Sequence, residues 1–84
     1  MKGLTDAAGN AIVAALERAK RPEEQCARFL VWDGRQRLMI DTERPSDKVF
    51  LYKGRKTLLV DPQTAQAFSG SSLDYKDGAF RLAY

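Results

Sequence analysis

The sequence contains a single cysteine, Cys26, and no histidine. A lone cysteine cannot form a disulfide within the chain, so packing alone must hold the fold, as is usual in a reducing compartment. Without histidine, the common arrangements for acyl transfer and metal-dependent hydrolysis lack a central residue, and no nucleophile stands beside a base. We therefore predict that the protein is not an enzyme.

Long apolar runs are also missing from the sequence. No stretch approaches the roughly 20 residues that a membrane-spanning helix needs, and the N-terminus lacks the charged and then apolar pattern of a signal peptide. These two features predict a cytoplasmic protein that does not enter a membrane.

What the sequence does contain is typical of a small globular domain. Its 84 residues are 44% hydrophobic and 30% charged, with a formal net charge of +3. A chain of this length has room for one core, and no repeat, linker or low-complexity tract divides it. We predict a single domain, residues 1–84.

Turn residues divide most of the chain into one helix and three hairpins. Thr5 or Asp6 caps a helix that ends by about residue 20, ahead of Pro22. The dipeptides at 33–34, 53–54 and 77–78 all end in glycine and are expected to turn three hairpins. The predicted strands are 26–32, 35–42, 48–52, 55–60, 72–76 and 79–84.

The last predicted strand has two different sides. Phe80, Leu82 and Tyr84 alternate with small or charged residues. Because successive side chains of a strand point to opposite faces, one face of this strand is expected to be apolar and the other small or charged.

The most specific stretch is Leu59-Val60-Asp61-Pro62, followed by Gly70-Ser71-Ser72-Leu73-Asp74-Tyr75 and Asp77-Gly78. By itself it predicts a strand ending at Val60, a short helix capped by Asp61 with Pro62 in its first turn, and a stop at Gly70. The same stretch resembles the HesB/IscA-like family, the A-type carriers of iron–sulfur cluster assembly. The resemblance implies an α+β fold: a compact, mostly antiparallel β-sandwich with an N-terminal helix and one short internal helix.

The resemblance also implies where cluster ligands would lie. Typical members carry one cysteine in a Gly-Cys-Ser-Gly-like loop between the first two strands and two more in a Cys-Gly-Cys tail after the last strand. Here the loop is the bare turn Asp33-Gly34, and Tyr84 lies near the point where the tail would begin. Since clusters are usually held by four thiolates, we expect a degenerate member with no cofactor and no metal ligands.

Cys26 leaves one alternative open, that of an iron–sulfur or iron carrier. In a homodimer, two copies of Cys26 supply two thiolates, and glutathione or a partner's cysteines could supply the rest. Otherwise Cys26 is a small buried side chain, as free cysteines often are. Arg28 is its only near cation in the sequence, so nothing strongly favours a lowered thiol pKa.

The favoured hypothesis is a protein-interaction or regulatory module linked to iron–sulfur or sulfur metabolism. Its expected partner surface is the tip of the first hairpin, formed by Trp32, Asp33, Gly34 and Arg35, where the family has its first ligand. An exposed tryptophan beside an arginine is a favourable contact pair for a protein partner. The competing expectation is that Trp32 packs in the core.

A weak nucleic-acid-binding module is the second alternative. Basic and aromatic side chains are mixed along the second predicted hairpin: Lys48, Phe50, Tyr52, Lys53, Arg55 and Lys56. Such a pattern can follow phosphates and stack on bases. The modest charge of +3 and the interspersed acidic residues favour an ordinary solvated face instead.

The aspartates have ordinary structural roles in this interpretation. Asp33 and Asp77 precede glycines in turns, Asp61 caps a helix, and Asp47 belongs to a polar loop. No calcium-loop spacing and no catalytic carboxylate pair is present.

Overall fold

The computed structural model describes residues 1–22 and 24–84. Within these residues the elements run in the order β1 (Gly3–Leu4), α1 (Asp6–Arg18), β2 (Gln25–Trp32), β3 (Arg35–Thr42), β4 (Lys48–Tyr52), β5 (Arg55–Val60), α2 (Pro62–Ala67), β6 (Ser72–Lys76) and β7 (Ala79–Ala83). The predicted α+β class and all three hairpins are confirmed. The two-residue strand β1 was not predicted.

Helix α1 begins where the sequence indicates, and Thr5 is the residue that caps it. The Thr5 hydroxyl oxygen accepts a hydrogen bond from the Ala8 N–H at 3.2 Å, and the same hydroxyl donates to Asp74 Oδ1 at 2.6 Å. The cap therefore also ties the helix to β6. Ile12 and Leu16 are buried on the inner face, and the helix ends at Arg18.

The three hairpins turn on two-residue loops with left-handed backbone at both positions. In the first, φ is 53° at Asp33 and 73° at Gly34, and the other two loops have similar values. These are the turns that match the twist of paired strands. The turn dipeptides of the sequence thus fix three antiparallel pairs: β2 with β3, β4 with β5, and β6 with β7.

Two further strand pairings, both parallel, join segments outside these hairpin pairs, and the sequence did not predict them. β2 lies beside β5 with Ala27 opposite Leu58, and β1 lies beside β6 with Leu4 opposite Leu73. The result is a four-stranded sheet in the order β3-β2-β5-β4 and a three-stranded sheet in the order β1-β6-β7. Both outer strands of the four-stranded sheet, β3 and β4, are edges.

The core is formed by the inner faces of the sheets and the two helices. Buried residues come from α1, β2, β5, α2 and β6: Ala8, Ile12, Leu16, Ala27, Phe29, Leu58, Val60, Ala65 and Leu73. Phe29 also meets Phe68 edge to face, with ring centroids 5.6 Å apart. Burial of these side chains is the main favourable term in a fold without disulfides.

Helix α2 confirms one capping prediction and corrects another. The Asp61 carboxylate accepts from the Thr64 N–H at 2.9 Å, and Pro62 is the first helical residue. Gly70, however, does not stop the helix. The last helical residue is Ala67, and Phe68 is the C-cap, with its N–H donating to the Thr64 carbonyl at 3.2 Å.

The apolar residues of the last strand are only partly buried. Leu82 lies half-buried opposite Leu73, and Phe80 is 37% exposed. Tyr84, the third apolar residue of the alternation, is 92% exposed. Alternation identifies the side of a strand, but Tyr84 lies beyond Ala83, the last residue of β7, and has no inner face to pack against.

Candidate functional site

The tip of the β2–β3 hairpin extends beyond the core. Along β2 the side chains are buried from Cys26 to Phe29, and then exposure rises to 40% at Val31 and 67% at Trp32. Of the two expectations for Trp32, the exposed one is therefore correct. Asp33, Gly34 and Arg35 are also exposed. A large aromatic side chain in this position is the kind of group that anchors protein–protein contacts.

One face of the hairpin combines this aromatic group with positive charge. Trp32 pairs with Arg35, and Leu30 pairs with Arg37, so all four side chains share the outer face of the sheet. Among the described residues, neither arginine has an ion-pair partner. Because both guanidinium groups are free to bind an acceptor, the face suits a partner with carboxylates.

The other face of the tip lies against α2. Val31 and Phe68 line an open groove of about 440 Å³ together with Ala67 and Thr64. Asp61, the capping residue of α2, lies in the same groove. Both faces of the tip thus present apolar surface to solvent.

Cys26 lies within β2 and is 1% exposed. Its thiol donates to the Lys56 carbonyl, with Sγ and oxygen 3.4 Å apart, and burial raises the pKa of the thiol. A raised pKa disfavours the thiolate, the form that binds metals and attacks electrophiles. This environment is that of a structural cysteine and speaks against the carrier alternative.

A buried ion-pair network beside Cys26 was not predicted. The Arg28 guanidinium, 4% exposed, donates to both Asp47 carboxylate oxygens at 2.8 and 2.5 Å and to Asp41 Oδ2 at 2.7 Å. Asp47, expected in a polar loop, has a side chain only 2% exposed. The network fastens the loop between β3 and β4 to the outer face of β2.

The electrostatics of the network follow from this geometry. Hydrogen bonds from Arg28 hold the pKa of Asp47 below its ordinary value, and the backbone N–H of Thr42 is the main cause of the lowered pKa of Asp41. Arg28 binds two carboxylates with one charge, so the three groups together carry a net negative charge. The signal available in the sequence was an arginine inside the apolar strand 26–32.

The second hairpin does not offer the stacking surface that nucleic-acid binding requires. Phe50 packs against the core. The Tyr52 hydroxyl donates to Asn10 Oδ1 at 2.8 Å, which holds its ring against α1. Lys56 lies 2.9 Å from Glu43, so part of the basic face is neutralised. The second alternative thus lacks exposed aromatic partners for bases.

The described part of the chain has neither a cluster of metal-binding side chains nor a membrane-spanning helix. Residues 1–22 and 24–84 contain no group of three or more cysteine, aspartate or glutamate side chains placed to hold a metal ion. In the same residues no helix has the length and hydrophobicity to cross a membrane.

Comparison with known proteins supports the fold. No family model and no curated protein matches the chain. Among solved structures, SufA of Escherichia coli, a protein involved in the biosynthesis of iron–sulfur clusters, superposes with a TM-score of 0.68. The two sequences are 28% identical over 96% of this chain and 82% of SufA. The chain therefore has the HesB/IscA-like fold that its sequence resembles.

Proposed function

We propose that this protein is a non-enzymatic HesB/IscA-like domain that has lost the iron–sulfur cluster site and acts in the cytoplasm as a protein-interaction or regulatory module. The link to iron–sulfur or sulfur metabolism rests on its similarity to SufA. The partner surface is the β2–β3 tip, formed by Trp32, Asp33, Gly34 and Arg35.

The observation that carries the proposal is the exposure of Trp32. A tryptophan that is 67% exposed loses the free energy that its burial would provide. It lies directly before the turn where the family resemblance expects the first cluster cysteine, and Arg35 and Arg37 lie on the same face. A partner that covers this face would gain an aromatic anchor and two free guanidinium groups.

The donor set supports the loss of the cluster. The sequence contains one cysteine and no histidine, whereas iron–sulfur clusters usually need four thiolates, with histidine as an occasional replacement. The one thiol present is buried in β2 and bonded to the Lys56 carbonyl. A cluster on Cys26 would require the residues that cover this thiol to move aside.

Anaerobic reconstitution with iron and sulfide tests the loss of the cluster. We expect no stoichiometric visible chromophore in the wild-type chain or in Cys26→Ser. A chromophore that forms at stoichiometric yield with the wild type and disappears in Cys26→Ser would establish the carrier alternative and overturn the proposal.

The interaction role is tested with Trp32→Ala and a matched control. Leu51→Ala removes an apolar side chain of similar exposure, 59%, from the opposite edge of the same sheet. Cross-linked capture from cell extract, quantified by mass spectrometry, should enrich iron–sulfur or sulfur-metabolism proteins with the wild type and Leu51→Ala but not with Trp32→Ala. Both variants should unfold within about 0.5 kcal/mol of the wild type. Equal capture by all three chains would refute the role of the tip.

A further inference from the structure

The side of β3 that faces away from β2 is a regular sheet edge, which we call the β3 edge. β3 is an outer strand of the four-stranded sheet, and it pairs with β2 along all eight of its residues without a register shift. Its sequence contains no proline and no lysine, two residues that often protect exposed edges. An edge of this kind can pair with an extended segment of another protein.

The β2–β3 turn determines which backbone groups of the β3 edge face outward. In a hairpin with a two-residue loop the pair next to the turn is hydrogen-bonded, and bonded and non-bonded pairs alternate from there. Leu38 and Ile40 belong to non-bonded pairs, so their N–H and C=O groups point away from β2. In agreement with this alternation, the Thr42 N–H donates to Asp41 Oδ1 at 2.7 Å. The centre of β3 therefore presents backbone donors and acceptors to an incoming strand.

An apolar groove borders the inner face of the β3 edge. Ile40 is 36% exposed on this face, and Leu38 lies half-buried beside it. With Ile12 of α1 and Phe80 of β7 these residues line a groove of about 190 Å³. Sites for small molecules are usually larger, about 300–1,000 Å³. The groove therefore suits one or two apolar side chains of an added strand.

The outer face of the β3 edge is basic at the end next to the turn. Arg35 and Arg37 lie on this face, and none of the described carboxylates forms an ion pair with either. The acidic residue of β3, Asp41, lies near the other end, where Arg28 and Arg44 already bind it. Acidic side chains of a partner are therefore attracted to the turn end of the edge.

We propose that β3 binds an extended segment of a partner protein as an added antiparallel strand, with apolar side chains over the groove and two acidic side chains opposite Arg35 and Arg37. The proposal rests on the function proposed above and names the class of partner that the tip would bind. Antiparallel pairing is slightly more stable per residue than parallel pairing. In this orientation the apolar residues come first in the segment and the acidic residues follow.

A nucleic acid would use only part of this surface. Its phosphates could reach Arg35 and Arg37, and a base could stack on Trp32. Its backbone, however, has no N–H and C=O groups to match those of the β3 edge. A peptide strand uses the backbone groups, the groove and the two arginines together, which is why we favour a protein partner.

A synthetic peptide with the sequence Ile-Thr-Phe-Glu-Thr-Glu tests the register. In the proposed pairing its residues lie, in order, opposite Ile40, Met39, Leu38, Arg37, Gln36 and Arg35. Fluorescence anisotropy of the labelled peptide should show saturable binding to the full chain, with a Kd below about 1 mM. The reversed sequence has the same composition and charge and should bind about fivefold more weakly. No saturable binding up to about 1 mM, or equal binding of the two peptides, would overturn the proposal.

Two N-methylated peptides test whether the backbone of the peptide pairs with β3. In the proposed register the N–H of the phenylalanine points towards Leu38, whereas the N–H of the next glutamate points away from β3. N-methylation of the phenylalanine should therefore weaken binding about tenfold. N-methylation of the glutamate should have a much smaller effect. Equal effects would show that the peptide does not bind as an added strand.

Arg37→Glu tests the charge contact at the turn end. It should weaken peptide binding about tenfold, because an attractive contact becomes repulsive. Lys48→Glu makes the same change of charge on β4, the opposite edge of the sheet, and should leave the Kd unchanged. Thermal unfolding checks that both variants are folded. Equal Kd values for the two variants, or displacement of the peptide by an equal concentration of oligothymidylate, would refute an acidic strand as the occupant.

These measurements separate the added strand from the function proposed above. Trp32 belongs to β2, one strand away from the β3 edge, so Trp32→Ala should change the Kd of the peptide less than Arg37→Glu does. If capture from cell extract depends on Trp32 but the peptide does not bind, the partner surface stands and the added strand is wrong. If the peptide binds as expected but Trp32→Ala captures as much as the wild type, the added strand stands and the role of Trp32 is wrong.

Discussion

The two edge strands of the four-stranded sheet, β3 and β4, differ in length, in regularity and in the residues that border them. β3 is eight residues long and regular, whereas β4 has five residues and a register shift between Phe50 and Leu51. β4 begins with Lys48 and is followed by Lys53, and Pro45 lies in the loop before it. Bulges, lysines and prolines are the features that prevent unwanted strand pairing. The chain protects β4 and leaves β3 open.

Contacts with α1 also distinguish the β4 edge from the β3 edge. The Tyr52 ring at the end of β4 packs directly on Gly9 of α1, and its hydroxyl reaches Asn10. Arg55, just past the turn, lies 3.8 Å from Glu17. β3 has the 190 Å³ groove on the corresponding side. The β4 edge is thus held by contacts with α1, whereas the β3 edge borders an open groove.

The Arg28 network joins the two edges, because it holds the loop between β3 and β4. Asp47→Asn removes the charge of the buried carboxylate that accepts two hydrogen bonds from Arg28 and should lower the free energy of unfolding by about 3–5 kcal/mol, the largest effect we predict. Chemical denaturation measures it. Asp77→Asn, an exposed turn aspartate, is the matched control and should change stability by less than about 0.5 kcal/mol. Equal effects would contradict a structural role of the network.

The same network predicts how stability depends on pH. The pKa of Asp47 is lowered in the folded state by Arg28, so its contribution is complete above the ordinary aspartate pKa of about 3.9 and is lost as the pH falls through the folded pKa. Unfolding measured from pH 6 to pH 2 should therefore show a steeper acid loss in the wild type than in Asp47→Asn. If stability falls equally steeply with pH in the wild type and in Asp47→Asn, the acid loss does not come from Asp47.

Gly9→Ala tests the contact between α1 and Tyr52 at the end of β4. A Cβ at this position would lie 2.5 Å from the Tyr52 ring, too close for either group to remain in place. Alanine normally stabilises a helix by about 1 kcal/mol relative to glycine, but the overlap should give a net loss of about 1–3 kcal/mol. Gly70→Ala, where nothing lies within 4 Å, is the control. A stabilised Gly9→Ala would show that α1 does not depend on this contact.

Adding lysine to each edge compares the two directly. Met39→Lys places an ammonium group at the centre of the β3 edge. Leu51→Lys adds the same charge to the β4 edge. Both positions are exposed, so each variant should keep its stability within about 0.5 kcal/mol. A loss of stability well beyond this in Met39→Lys but not in Leu51→Lys, measured by chemical denaturation, would show that folding depends on the apolar centre of β3.

Local sequence determined most of the elements. Glycine turns fixed three hairpins because left-handed backbone is needed at those positions, and Thr5 and Asp61 fixed two helix starts through their side-chain caps. These are contacts within a few residues, which a single sequence encodes directly. Gly70 failed as a stop signal because the Phe68 N–H had already closed the last turn.

Contacts between distant segments were decided by the tertiary structure alone. The parallel pairs, the burial of Asp47 beneath Arg28, the seclusion of Cys26 and the exposure of Trp32 depend on which faces the packed sheets and helices cover. Alternation along a strand tells which residues share a face, but covering that face requires elements far away in the chain. For this reason the sequence identified the hairpin tip as a candidate surface, and only the folded chain showed that Trp32 is exposed there.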